Sequence, residues 1–93
     1  MPQTQIVLVT GCSSGIGLAI ACLLARDPDK RFLVYATLRK PVYQEPRFRE
    51  AVKGILDETI FAVRMDVTDD DSVKEGVATV MEKHRRIDVL SKL

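Results

Sequence analysis

No stretch of this 93-residue sequence is apolar for long enough to span a membrane, and no basic segment near the N-terminus leads into an apolar one. A membrane-spanning or secreted protein is set aside on those grounds, and the cytoplasm is the expected compartment. An excess of one charge sign is also missing, since 14 Lys and Arg against 13 Asp and Glu leave a formal net charge of +1. Nucleic acid and anionic membranes therefore find no strongly basic surface to bind. Cysteine is scarce: Cys12 and Cys22 are too few for a disulfide framework and lack metal-ligand spacing, so both are expected to be free thiols in a reducing compartment. Repeats and low-complexity linkers are absent as well. The length allows one domain at most, burying a smaller share of its surface than a longer chain does.

What is present is concentrated between Gln5 and Leu24, QIVLVTGCSSGIGLAIACLL. A short apolar run, Ile6-Val7-Leu8-Val9, leads directly into Thr10-Gly11-Cys12-Ser13-Ser14-Gly15-Ile16-Gly17, and an apolar segment of helical length follows. Strand, glycine-rich turn and helix in that order form the setting of a dinucleotide fingerprint. Gly11 lets the chain turn off the strand, Gly15 lets backbone N–H groups approach a pyrophosphate, and Gly17 allows close packing of the helix on the sheet. The helix N-terminus adds unpaired N–H donors and the positive end of its dipole. An ordinary strand-to-helix turn is the plainer alternative.

The rest of the chain alternates in the same way. Strand 1 is predicted over residues 5–10 and helix 1 over 16–26, the helix apolar all round and hence expected to be centrally buried. Asp27-Pro28-Asp29-Lys30 ends it. Strand 2 is predicted over 32–38, its unbroken apolar character suiting a parallel strand covered on both faces. Helix 2 spans 46–56 with Pro46 in its first turn and Gly54 as a weak point inside it. Strand 3 covers 59–65, and helix 3 covers 69–84 with Thr68 as N-cap, Asp71 closing a capping box and a stripe of Val73, Val77, Val80, Met81 and His84. A fourth strand begins at Ile87. The order β-α-β-α-β-α-β predicts an α/β fold, an incomplete doubly wound parallel sheet of Rossmann type with three to four strands and three helices.

The spacing Gly-x-x-x-Gly-x-Gly after a Thr resembles the short-chain dehydrogenase/reductase family. Beyond Thr10–Leu18 (TGCSSGIGL), the segments Asp27-Pro28, Val34–Arg39 (VYATLR), Met65–Val67 (MDV), Asp71-Ser72-Val73 and Ile87–Leu90 (IDVL) resemble the branch of estradiol 17-beta-dehydrogenase type 1 and photoreceptor-type retinol dehydrogenase. The likeness covers nearly all of residues 1–93, which the family implies are the N-terminal part, about a third, of a single NADP-binding Rossmann domain. It implies interconversion of a hydroxyl and a carbonyl on a steroid or a retinoid, the two being undivided here, and a possible homodimer in full-length members. Gly11, Ser13, Ser14, Gly15, Ile16 and Gly17 then form the cofactor loop, and Asp66, with Val67 beside it, matches the adenine-contacting Asp, unless Asp66 is a plain turn residue.

The coenzyme follows from chemistry as well. NAD-selective proteins place a carboxylate after strand 2 for the ribose 2′-hydroxyl, whereas Thr37-Leu38-Arg39-Lys40 stands here. A guanidinium offers a 2′-phosphate a bidentate, charge-assisted fork, so Arg39 is the expected NADP(H) ligand, with Ser14 as hydroxyl partner and Lys40 as a weaker point charge. A solvated basic pair at a strand end is the alternative. His84 and the acidic run Asp69-Asp70-Asp71 read as helix surface and helix start.

The catalytic Ser and the Tyr-x-x-x-Lys pair of the family are not in this sequence: four residues after Tyr35 and Tyr43 stand Arg39 and Arg47. These 93 residues alone are expected not to turn over substrate. Ser91-Lys92-Leu93 spells a peroxisomal address, the alternative to the cytoplasm. Two other functions compete. Gly11-Cys12-Ser13-Ser14-Gly15 also fits Gly-x-Ser-x-Gly, a hydrolase elbow with Ser13 as nucleophile and His84 as base, although only ten residues precede it. A non-enzymatic nucleotide-binding or partner-docking fragment is the second, because an apolar fourth strand left as a sheet edge invites pairing or aggregation.

Overall fold

The computed structural model describes residues 4–91. Its elements are β1 (Gln5–Val9), α1 (Gly15–Ala25), β2 (Phe32–Leu38), α2 (Pro46–Ala51), β3 (Ile60–Arg64), α3 (Asp70–His84) and β4 (Val89–Ser91), with a 3-10 turn at Val42–Gln44 that the sequence did not signal. The strands form one parallel sheet in the order β3-β2-β1-β4. Chain order reverses at β1, so α1 and α2 cover one face and α3 the other, the doubly wound arrangement expected. The first layer holds Val7, Val9, Val34, Ala36 and Leu38 beneath Leu18, Ala21 and Phe48. The second holds Ile6, Leu8 and Tyr35 beneath Val80. Successive strand residues serve opposite layers, which accounts for the unbroken apolar runs of β1 and β2.

The helices depart from expectation in instructive ways. α1 is not buried all round: Ile16 and Leu23 are 72% and 75% exposed, while Gly17, Leu18, Ala21 and Ala25 face the sheet. Close approach to the sheet favours small side chains at Gly17, Ala21 and Ala25, while Ile16 and Leu23 turn outward. α2 stops at Ala51 instead of residue 56. The Arg26 guanidinium donates to the carbonyls of Ala51 at 2.9 Å and Lys53 at 3.2 Å, satisfying groups that a longer helix would have used itself. Gly54, with φ +87°, lies in the turn beyond the helix and lets the chain reverse there.

At the start of α3 the cap is Asp69, not Thr68: its carboxylate accepts from the N–H groups of Asp71 and Ser72 at 3.0 and 3.4 Å. Thr68 is diverted to Asp66, as described below. Gly76 is buried on α3 against Met65, where a Cβ would overlap the methionine methyl group. His84 is not plain surface either. It is half-buried, and its Nε2 lies 2.6 Å from the Tyr35 hydroxyl, which also stacks its ring on Phe61.

Two carboxylates tie the N-terminal end of the sheet. Asp88 accepts from the Ile6 N–H at 2.7 Å and from Arg86 at 3.0 Å, joining β4 to β1. Asp27 accepts from the Arg31 side chain at 2.8 and 3.1 Å and from its backbone N–H at 2.9 Å, closing the α1–β2 turn. On β4, Val89 and Leu90 are 41% and 53% exposed, in keeping with the apolar edge foreseen. Lys92 and Leu93 of the Ser-Lys-Leu tripeptide lie outside the described residues.

Two outcomes are expected. Phe48→Ala, at a fully buried position, should cost about 3–5 kcal/mol in urea denaturation, whereas Leu23→Ala should stay within about 0.5 kcal/mol of the parent. The hydrogen bonds from Arg31 hold the Asp27 carboxyl at about 2, below its ordinary 3.8. A lowered folded-state value means that this contribution to stability is complete above pH 3.8 and fades as pH falls toward 2. The denaturation midpoints of the parent and Asp27→Asn should therefore converge between those pH values.

Candidate cofactor-binding site

The C-terminal ends of β1, β2 and β3 are where open α/β sheets bind ligands. Gly11 leaves β1 with φ +66° and Gly15 enters α1 with φ +68°, left-handed values that other residues adopt with strain. Gly17 does something more specific than pack on the sheet. Its missing side chain lets the first turn of α1 sit on the glycine loop itself: a Cβ there would overlap the Gly11 carbonyl oxygen and stand 3.1 Å from the Thr10 oxygen.

The loop is filled from within by Cys12. Its thiol is fully buried and donates to the Val9 carbonyl at 3.2 Å, and burial pushes it up to about 12. A thiol so placed is packing, not a nucleophile. Both cysteines are free, as expected.

The N-terminus of α1 keeps its donors open. Ser14 occupies the N-cap position with extended backbone, but its hydroxyl makes no capping bond, and no acidic residue lies in the first turn. An N-cap serine ordinarily accepts from the second or third helical N–H. Here those N–H groups and the hydroxyl point to no intrahelical partner, a donor set suited to an anion.

A cavity of about 210 Å³ beside this turn is lined by Gly11, Ser13, Thr37, Arg39, Asp66 and Val67, among others. Five of the nine residues expected from the sequence thus share one wall. Ser14, Gly15, Ile16 and Gly17 lie on the adjoining α1 turn, Ile16 with its side chain in solvent. Arg39 is 75% exposed and its Nε stands 3.9 Å from Asp66 Oδ2, a loose contact worth little by itself, so the guanidinium is free to take another partner. Lys40 is exposed next to it.

Asp66 serves the turn and the cavity together. Its Oδ1 accepts from the Thr68 hydroxyl at 2.6 Å and the Thr68 N–H at 3.0 Å, while Oδ2 faces Arg39. Those Thr68 bonds, with Arg39 and Arg64 nearby, hold its carboxyl below the usual range. The Asp66 N–H in turn donates to Ser72 Oγ at 2.8 Å.

Sequence reasoning missed Thr37. It is 1% exposed, its Oγ1 accepts from the Gly11 N–H at 3.2 Å, and its carbonyl accepts from the Cys12 N–H at 3.0 Å. A threonine near the C-terminal end of a strand otherwise made of aliphatic and aromatic residues was the available signal. The hydrolase alternative loses its base, because His84 is engaged with Tyr35 on the α3 layer. A larger depression of about 700 Å³ sits at the other end of the sheet by Thr4, Asp27 and Lys30. Its Arg26 and Asp27 are already bonded within the chain, and it lies away from the glycine loop and the N-terminus of α1, so size does not locate the site.

Comparison with known proteins gives the family and the fold. The profile of the short chain dehydrogenase family matches residues 5–92. Estradiol 17-beta-dehydrogenase 1 of Rattus norvegicus is 44% identical over 89 residues, covering 95% of this chain and 25% of the relative. Human retinol dehydrogenase 8 is 38% identical over 89 residues, 96% of this chain and 27% of the relative. The chain thus spans about a quarter of the length of these relatives. Among solved structures, NADPH-bound carbonyl reductase from chicken fatty liver superposes with a TM-score of 0.82 at 26% identity, covering all of this chain and 35% of that one. An alcohol dehydrogenase of the archaeon Thermococcus sibiricus, complexed with 5-hydroxy-NADP, gives 0.73 at 29% identity over 95% and 36%. On profile, sequence and fold together, the chain belongs to the short chain dehydrogenase family.

Proposed function

We propose that residues 1–93 are the N-terminal part of a single NADP(H)-binding domain, and that Arg39 selects NADP(H) over NAD(H). The observation that carries this reading is the shared wall of Gly11, Ser13, Arg39, Asp66 and Val67 beside the uncapped start of α1. In this arrangement the α1 N-terminus and Gly15 hold the pyrophosphate, and Arg39 holds the 2′-phosphate, with Ser14 as its hydroxyl partner and Lys40 as a weaker point charge. Asp66 and Val67 border the adenine. The NADPH and 5-hydroxy-NADP ligands of the two solved relatives support the same choice.

When bound, the nicotinamide supplies hydride chemistry, and the steroid and retinol names of the relatives support hydroxyl–carbonyl interconversion on one of those substrate classes. Such a substrate and a homodimer belong, in this reading, to a full-length protein. The sequence in hand contains no Tyr-x-x-x-Lys pair, so these residues bind and orient the dinucleotide without moving the substrate's proton. Among the described residues no helix is long and apolar enough to cross a membrane, and the free thiols suit the cytoplasm. A second reading, a dinucleotide-holding chain that docks on a partner along β4, draws on the exposure of Val89 and Leu90 and shares the same cofactor site.

Calorimetric titration provides the test. The parent chain should bind NADPH more tightly than NADH, and Arg39→Ala should weaken NADPH by roughly 10- to 100-fold while leaving NADH nearly unchanged. An unaltered ratio would remove Arg39 from the site.

A further inference from the structure

We infer that Thr37 is a positioning residue for the dinucleotide site, fixing the glycine loop at a set distance from Arg39. This rests on the cofactor reading above and adds a component that neither the glycine motif nor the basic pair contains. Thr37 is the penultimate residue of β2, and Arg39 stands in the bend directly after the strand's last residue, Leu38. It grips the loop at two successive residues: Oγ1 accepts from the Gly11 N–H at 3.2 Å and the carbonyl accepts from the Cys12 N–H at 3.0 Å. Thr37 and Arg39 also line the same 210 Å³ cavity.

Two consequences follow. The Gly11 and Cys12 N–H groups are consumed by Thr37, so the backbone donors left for a pyrophosphate come from the later loop and the first turn of α1. Further, one short segment positions both ends of the site. The loop's place is set by residue 37 and the 2′-phosphate ligand by residue 39, so the C-terminal end of β2 and the bend after it set the span between the two anionic groups. The carbonyl half of the grip survives any substitution, whereas the hydroxyl half depends on the side chain. Valine has nearly the shape of threonine without the acceptor, and serine keeps the acceptor without the methyl group.

The experiment titrates NADPH and NADH into the parent chain, Thr37→Val and Thr37→Ser, with far-ultraviolet circular dichroism to check folding and amide exchange at Gly11 read by NMR. Thr37→Val is expected to weaken both dinucleotides by roughly tenfold with their ratio unchanged, and to speed exchange at Gly11. That pattern differs from the Arg39→Ala loss, which falls on NADPH alone. Thr37→Ser is expected to bind as the parent does. Parent-like binding by Thr37→Val, a loss confined to NADPH, or a Ser variant as weak as the Val variant would overturn the role. If Thr37→Val does not fold, the Ser variant decides: parent-like affinity supports the hydroxyl, and weakened affinity refutes it. If the parent binds neither dinucleotide, the cofactor reading fails on its own. Gly11 exchange then decides the grip: faster in Val but not in Ser supports it, and equal rates in all three overturn it.

Discussion

The first turn of α1 rests on the carbonyl of Gly11, and only a residue without a side chain at position 17 permits it. This contact sets where the helix begins, and so where its unpaired N–H groups face. It also draws α1 close to the sheet, where Ala21 and Ala25 join Leu18 on the inner face. Cys12 fills the space beneath the turn, and Thr37 holds the turn from the neighbouring strand. The glycine loop is thus packed from within, above and beside. Such a loop presents a preorganised set of donors to a ligand, with little left to be ordered on binding.

The two ends of the sheet are built to different rules. At the N-terminal end, Asp27, Arg31, Asp88, Arg86 and Arg26 are spent on one another or on backbone groups. At the C-terminal end, Ser14 caps nothing, and Arg39 makes only a loose contact with Asp66. A polar group left without a strong internal partner at the mouth of a cavity is what ligand recognition requires, because an internal bond would have to break first. The polarity of the molecule therefore points to the same end as its topology does.

Much of this was legible in the sequence, for identifiable reasons. The alternation of apolar runs with helical segments gave the sheet and its two layers, because parallel strands covered on both faces have a plain signature. Gly11, Gly15 and Gly17 were legible because their backbone demands exclude other residues. Capping and helix ends were less so. Thr68 and Asp69 are both good caps, and the choice between them turned on Asp66, two residues before Thr68, whose carboxylate claims the Thr68 hydroxyl. α2 looked longer than it is because Arg26, distant in sequence, terminates it. The outward side of α1 was hidden for a related cause: apolar periodicity does not say which face must be small. His84 read as surface until β2 brought Tyr35 to it.

The central claim, that the C-terminal end of the sheet holds NADP(H), is tested most directly by following backbone amide resonances while NADPH is added. The account requires the largest shifts at residues 13–18, at Arg39 and at Asp66 and Val67, with those near Asp27 and Lys30 unmoved. Shifts centred on the 700 Å³ depression at the opposite end, or none at saturating NADPH, would contradict it.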